Sequence, residues 1–268
     1  PIIKYAFVIL FYVIELVIIQ SFQFTTTAAL LALAGLLLIF DSRKLVVISG
    51  IILILFGSLI RFEAVILILI VAIPMYIRRL REWKSLLLFV ACLAVIFTFK
   101  LIDKEIYNQD SYWKTYIEYN ELRGKINDNP NAIKLRDNYS IKEIYINDYK
   151  LLLRYFQDGQ VLNNESLNRI NGELNLLNIE DKISNVRQII SYSPFLVLLF
   201  VLFFITYSIQ KTTFDKLIVG SGIVLFFVIM VAISMNGSLK FRVFLTAILP
   251  LFFILQNYYI PLKPITRN

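Results

Sequence analysis

Three carboxylates occupy positions where an acidic side chain needs an explanation, and they are the candidate catalytic bases of this chain. Glu15 interrupts the first apolar run, where an ionised carboxylate is costly unless it is paired or faces a polar cavity. Glu63 lies in a short polar break between two apolar runs, and Asp128 lies in a polar segment rich in Asn and Asp. A carboxylate in such a position can deprotonate a hydroxyl group of a bound substrate.

Four cations are candidate substrate ligands. Arg61 lies beside Glu63, Lys240 and Arg242 precede the last apolar run, and Arg123 precedes a glycine in the polar segment. A guanidinium group binds phosphate or carboxylate in a bidentate manner, so Arg61, Lys240 and Arg242 together would suit a diphosphate.

Structural explanations of these residues remain open. Glu15 can pair with a basic side chain on a neighbouring helix, and Arg61 with Glu63 can end two short helices. Lys240 and Arg242 can extend towards lipid headgroups. Asp128 can cap a turn.

The composition excludes several common chemistries. The chain has no histidine and one cysteine, so catalysis by histidine, the usual zinc sites, Cys–His nucleophiles and intrachain disulfides are excluded. No phosphate-binding loop, dinucleotide fingerprint or nucleophile elbow is present. We assign no metal-ligating residues and no cofactor, and leave open the binding of a divalent metal ion.

The elements that position these residues are membrane helices. Of the 268 residues, 58% are hydrophobic and only 17% are charged, and the mean hydropathy is +0.71. Continuous apolar runs exclude barrel strands and favour helices, because a helix satisfies its own backbone in lipid. The prediction is an all-α, polytopic helix bundle of about eight spans, at residues 5–20, 24–40, 45–60, 64–77, 85–102, 194–210, 217–235 and 242–259.

Between the fifth and sixth spans the composition changes to charged and rich in Asn and Tyr. We divide the chain into spans 1–5 at 1–102, a soluble domain at 103–192, and spans 6–8 at 193–268. The soluble domain should be small and mainly helical. The pattern predicts a helix ending before Gly124, a loop over 125–137, a helix from a capping box at 140–143 to about 156, and a helix capped by Asn164.

The charge distribution predicts the orientation. The soluble domain carries a net charge of −2 and the membrane part +10, so the basic excess indicates orientation rather than nucleic-acid binding. Eleven of fifteen cations in the membrane part fall on one side, which places both ends of the chain in the cytoplasm and 103–192 outside it. The four cations on the other side are Arg61, Lys100, Lys240 and Arg242.

Three segments, residues 57–64, residues 119–149 and residues 239–243, together resemble bacterial multi-span proteins of surface-polysaccharide assembly. The plan of many spans, one large outer loop and arginines at the rim is similar to oligosaccharide polymerases and polyprenyl-dependent membrane glycosyltransferases. The resemblance implies glycan assembly at the outer face of the plasma membrane, with Arg61 and Arg242 matching the ligand-binding arginines by role. Such glycosyltransferases carry an acidic residue in the first outer loop, whereas residues 20–25 contain none.

The leading hypothesis is therefore a bacterial membrane protein that polymerises or transfers a polyprenyl-diphosphate-linked glycan on the outer side. The alternative from another class is a non-enzymatic scaffold in the lipid bilayer that docks a membrane-protein partner. A third hypothesis is a transporter or channel component. It is disfavoured because Glu15 is the single carboxylate clearly at membrane depth.

Overall fold

The computed structural model describes residues 23–41, 43–77, 82–129, 132, 163–174, 183, 186–236 and 239–259. This part of the chain is helical and contains no strand. The expected span at 5–20, with Glu15, lies outside the described residues. The expected helix from 140 to about 156 also lies outside them, as do Arg78, Arg79 and Arg81, three of the eleven cations expected on the cytoplasmic side.

Most of the helices follow the apolar runs of the sequence, whereas the two between residues 111 and 174 are polar. In chain order the helices are α1 Phe24–Leu38, α2 Lys44–Val71, α3 Ile73–Tyr76, α4 Trp83–Gln109, α5 Ser111–Asp128, α6 Asn164–Leu174, α7 Ser193–Ile209, α8 Thr213–Asn236 and α9 Phe241–Tyr259. A 3₁₀ turn, Gln188–Tyr192, leads into α7.

Within the described residues, four helical segments are long and apolar enough to cross a membrane, which is the property of a multi-pass membrane protein. They are Lys44–Val71, Trp83–Gln109, Ile189–Ile209 and Thr213–Met235. The apolar helices Phe24–Leu38 and Phe241–Phe252 are shorter.

The helix α2 is broken at Arg61, whose backbone is extended at φ −158° and ψ 98°. Residues 57 and 65 would be about 12 Å apart along a straight helix, farther than a valine side chain reaches. A Cβ atom placed on Gly57 would nevertheless lie 3.3 Å from Val65 Cγ2. The chain therefore folds back at Arg61, and the predicted break at 61–63 is present.

The chain divides into two compact units. The first unit contains the described residues up to Lys100, together with Ser193–Ile229 and the residues from Phe241 onward. In it α1 packs antiparallel to the first half of α2 through glycines. A Cβ on Gly35 would stand 2.4 Å from the carbonyl oxygen of Gly50, and a Cβ on Gly57 would stand 2.9 Å from that of Ala28. Small residues let the two backbones approach this closely.

The second unit contains Leu101–Tyr192 and Met230–Lys240. Its apolar core is formed between α5 and α6 by Ile126, Leu167, Ile170 and Leu174, with Tyr119 and Leu122 packed against them and Ala132 alongside. Asp110 caps α5 by accepting from the backbone N–H of Tyr112 at 2.8 Å.

The expected span at 85–102 lies within α4, which polar residues continue to Gln109. Two expectations about this polar segment need correction. The helix expected to end before Gly124 continues to Asp128, so the loop does not start at 125. The cap of α6 is Asn163, whose side chain accepts from the N–H of Ser166 at 2.9 Å, and not Asn164.

Candidate functional site

The fold-back of α2 fixes the position of Arg61. Gly50 of α2 lies against Gly35 of α1, and Gly57 lies against Ala28. One helical turn beyond Gly57, this antiparallel register places Arg61 level with the first turn of α1. The Arg61 side chain is half-buried there.

Arg242 reaches the same end of α1. Its Nη1 donates to Oε1 of Gln23, the residue that precedes α1, at 3.2 Å. Its Nε is buried and finds no hydrogen-bond partner among the described residues. Arg242 also lies in the first turn of α9, where the helix dipole disfavours a cation and no acidic residue offsets it. A bound anion would offset the local charge.

Lys100 lies at the same end of the first unit, beside the residue that follows Arg61. The ring of Phe62, next to Arg61, packs edge-on against Phe97 of α4 at 5.3 Å. The ammonium group of Lys100 lies 5.7 Å from the centre of the same ring. We call Arg61, Lys100 and Arg242 the cationic end.

At the opposite end of the pair formed by α1 and α2, the arginine has a carboxylate partner. There Arg43 is exposed and pairs with Asp41, with Nε and Oδ1 3.0 Å apart. The hydrogen bond and the charge of Asp41 raise the pKa of Arg43. Arg43 therefore carries a neutralised charge, unlike the arginines of the cationic end.

The structure describes two of the three candidate bases, Glu63 and Asp128. Glu63 is exposed, two residues from Arg61, and the described part of the structure gives it no ion pair. Glu15 lies outside the described residues. Asp128 belongs to the second unit and is the last residue of α5. It therefore lies on a helix and not in the predicted loop over 125–137.

Lys240 belongs to the second unit and not to the cationic end. Its Nζ donates to the backbone carbonyl of Asn127 at 3.2 Å. That carbonyl is in the last turn of α5, where the helix leaves its C=O groups without partners and favours a nearby cation. Lys240 therefore has a structural role that was not apparent from its place beside Arg242.

Arg123 lies on α5, with its guanidinium carbon 5.9 Å from the ring centre of Tyr119. Burial raises the pKa of the Tyr119 phenol, and the charge of Arg123 lowers it to a smaller extent.

A set of neutral polar groups on α5 was not among the predicted site residues. Within the described part of the chain, the hydroxyl group of Tyr119, Oδ1 of Asn120 and both side-chain polar atoms of Asn127 are buried without hydrogen-bond partners. Their spacing along one helix face was visible in the sequence, but their burial was not. Among the described residues, no group of His, Cys, Asp and Glu is arranged to hold a metal ion.

Comparison with protein-family models, with curated proteins and with solved structures finds no match to this chain.

Proposed function

We propose that this protein polymerises or transfers a polyprenyl-diphosphate-linked glycan, with the cationic end binding the diphosphate. The observation that carries the proposal is that Arg242 binds the residue before α1 while the helix register places Arg61 level with the first turn of the same helix. A diphosphate on a lipid tail presents two phosphates next to a long apolar chain. Two guanidinium groups beside apolar helices match that chemistry.

The proposed reaction needs few groups. The acceptor hydroxyl oxygen attacks the anomeric carbon, the bond from that carbon to the diphosphate oxygen breaks, and polyprenyl diphosphate leaves. A carboxylate accepts the hydroxyl proton, and Glu63, Glu15 and Asp128 are the candidates. The arginines stabilise the negative charge that develops on the leaving diphosphate.

Within this proposal the protein is a plasma-membrane protein of about eight spans. Residues 24–40, 45–60 and 64–77 are three of them, and the fold-back at Arg61 supports the separation of the last two. The cationic end then lies on the outer side, together with residues 103–192. Both ends of the chain lie in the cytoplasm, as the distribution of Lys and Arg favours.

Binding of a polyprenyl diphosphate to the purified protein in nanodiscs, measured by native mass spectrometry, tests the proposal. We expect Arg61→Ala and Arg242→Ala each to weaken binding roughly tenfold, as for loss of one charge-assisted hydrogen-bonded pair. Arg43→Ala is the matched control, because it removes an exposed arginine from the opposite end of the same helices.

The same variants should shorten or deplete the surface glycan in cells, whereas Arg43→Ala should not. Unchanged diphosphate binding in the Arg61→Ala, Arg242→Ala double variant would contradict the proposal and favour the non-enzymatic scaffold. Lys240 is left out of the ligand set, since its contact with the Asn127 carbonyl accounts for it.

A further inference from the structure

An exposed apolar stripe runs along α4 and continues past the end of its apolar run. At about 100° per residue, Phe99, Ile102 and Ile106 fall within an arc of about 60° on one side of the helix. All three side chains are exposed, and Ile106 is 60% exposed although it follows the charged residues 103–105. On a helix long and apolar enough to cross a membrane, lipid covers such a stripe.

An aromatic cluster lies at the same end of α4, where the chain turns into α5. Asp110 separates the two helices and caps α5. Across this turn the ring of Tyr107 packs edge-on against that of Trp113 at 5.7 Å. The ring of Trp113 makes the same kind of contact with Tyr112 at 5.9 Å and with Tyr116 at 5.8 Å. We call these four exposed aromatic residues the aromatic cluster.

The position of the aromatic cluster along α4 matches the headgroup layer of a bilayer. Tyr107 lies five residues beyond Ile102, where the apolar run ends, which is about 7.5 Å along the helix. The headgroup layer is about 5–7.5 Å thick on each side of the hydrocarbon. Helical side chains lean towards the N-terminus, so the Tyr107 ring leans back towards the apolar run, and the Trp113 ring contacts it.

The charges around the aromatic cluster do not favour anionic lipid. Residues 103–118 contain four acidic and two basic residues, whereas attraction to anionic headgroups requires an excess of Lys and Arg. Trp and Tyr bind at a membrane surface for another reason. The apolar body of the ring enters the headgroup layer while its N–H or O–H group keeps hydrogen bonds to water and headgroups.

We propose that the aromatic cluster binds the surface of the lipid bilayer, with its rings in the headgroup layer and the first turns of α5 held against that layer. Exposed rings alone would also suit a protein partner. The lipid-facing stripe that continues to Ile106 and the depth of Tyr107 identify lipid as the occupant. This contact goes beyond the proposed function and does not depend on the cationic end.

Fluorescence quenching of Trp113 by nitroxide-labelled lipids tests the contact. The chain has two tryptophans, so Trp83→Phe leaves Trp113 as the only one. The purified full chain is placed in nanodiscs of zwitterionic phosphatidylcholine. We expect a nitroxide at the headgroup to quench Trp113 roughly twofold or more strongly than a nitroxide near the end of the acyl chain.

Two tryptophans at other positions are the matched controls. Trp113→Phe leaves Trp83, the first residue of α4, which should also be quenched by the headgroup label and shows that the labelled lipid reaches the protein. In the Trp83→Phe, Trp113→Phe background, Glu118→Trp places the ring on the opposite, exposed side of α5. That ring should be quenched by aqueous iodide and by neither lipid.

Trp113 quenched by iodide as strongly as the tryptophan introduced by Glu118→Trp, and by neither lipid, would overturn the proposal and favour a protein partner. Stronger quenching by the acyl-chain label would overturn it as well, because the ring would then lie in the hydrocarbon and not among the headgroups.

Lipid composition separates binding by rings from binding by charge. Replacing about a third of the phosphatidylcholine with phosphatidylglycerol should leave the quenching of Trp113 unchanged, and a marked increase would contradict binding through the rings. The Arg61→Ala, Arg242→Ala double variant should show the same quenching. Loss of diphosphate binding and loss of this lipid contact are therefore separate results.

Discussion

Lys240 and Arg242 are two residues apart, and the structure gives them different partners. Lys240 donates to a carbonyl at the end of α5 at 3.2 Å, whereas Arg242 donates to Gln23 at the start of α1. The first contact stabilises a helix end through charge and hydrogen bonding. The second leaves part of the guanidinium group unsatisfied, which is why we place only Arg242 in the proposed ligand set.

Lys240→Met tests the structural role of this lysine, because it keeps the aliphatic stem and removes the charge. We expect the free energy of unfolding to fall by about 0.5–1.5 kcal/mol, the usual worth of one hydrogen bond at a helix end. The measurement is thermal unfolding in detergent, with Lys114→Met as the control on the exposed first turn of α5. Equal stability of the two variants would show that the carbonyl contact contributes nothing.

The candidate site could be predicted from the sequence only in part. The charges of Arg61 and Arg242 were visible because they stand out from apolar surroundings. Their common end of α1 was not visible, because Gln23 and Arg242 are 219 residues apart in sequence. The same holds for Lys240 and Asn127, which are 113 residues apart. Pairs this distant depend on how helices pack, which hydropathy does not encode.

At the scale of elements, the contact between α1 and α2 depends on the absence of side chains at three glycines. The carbonyl of Gly50 would lie 2.4 Å from a Cβ on Gly35, and that of Gly35 would lie 2.7 Å from a Cβ on Gly50. In lipid, helices associate through close packing rather than through the hydrophobic effect. A methyl group at either position must therefore push the two backbones apart.

We expect Gly35→Ala and Gly50→Ala each to destabilise the first unit by roughly 1–3 kcal/mol, the usual cost of overpacking. The measurement is the melting temperature of the detergent-solubilised protein by size-exclusion chromatography with fluorescence detection. Gly220→Ala in α8 is the control, because a Cβ there would meet nothing within 4 Å. Because both substitutions strain one contact, the double variant should lose less than the sum of the two. Full additivity would contradict a shared contact.

The sequence predicted most of the helices, and the errors at the helix ends have a physical cause. Apolar runs predicted α1, α2, α4, α7, α8 and α9 because each of these elements is apolar over most of its length. The ends were less predictable. Polar residues that continue α4 to Gln109 and α5 past Gly124 carry no hydropathy signal, and a glycine with open space around it does not end a helix.

At the scale of the whole molecule, the path of α2 through the membrane decides which side each later loop faces. As a single straight helix, its 28 residues would extend about 42 Å and place Asp41 and Lys84 on opposite sides. The extended residue at Arg61 and the approach of Val65 to Gly57 favour the second arrangement. In that arrangement Asp41 and Lys84 share one side, and Glu63 lies on the other.

Cysteine labelling distinguishes the two arrangements, since Cys92 is the only native cysteine and can be removed by Cys92→Ala. In that background we expect a membrane-impermeant maleimide to label Glu63→Cys and Lys114→Cys in intact cells. Asp41→Cys and Lys84→Cys should react only after the cells are permeabilised. Labelling of Lys84→Cys but not Asp41→Cys in intact cells would mean that α2 is one span, and would remove the cationic end from the outer face.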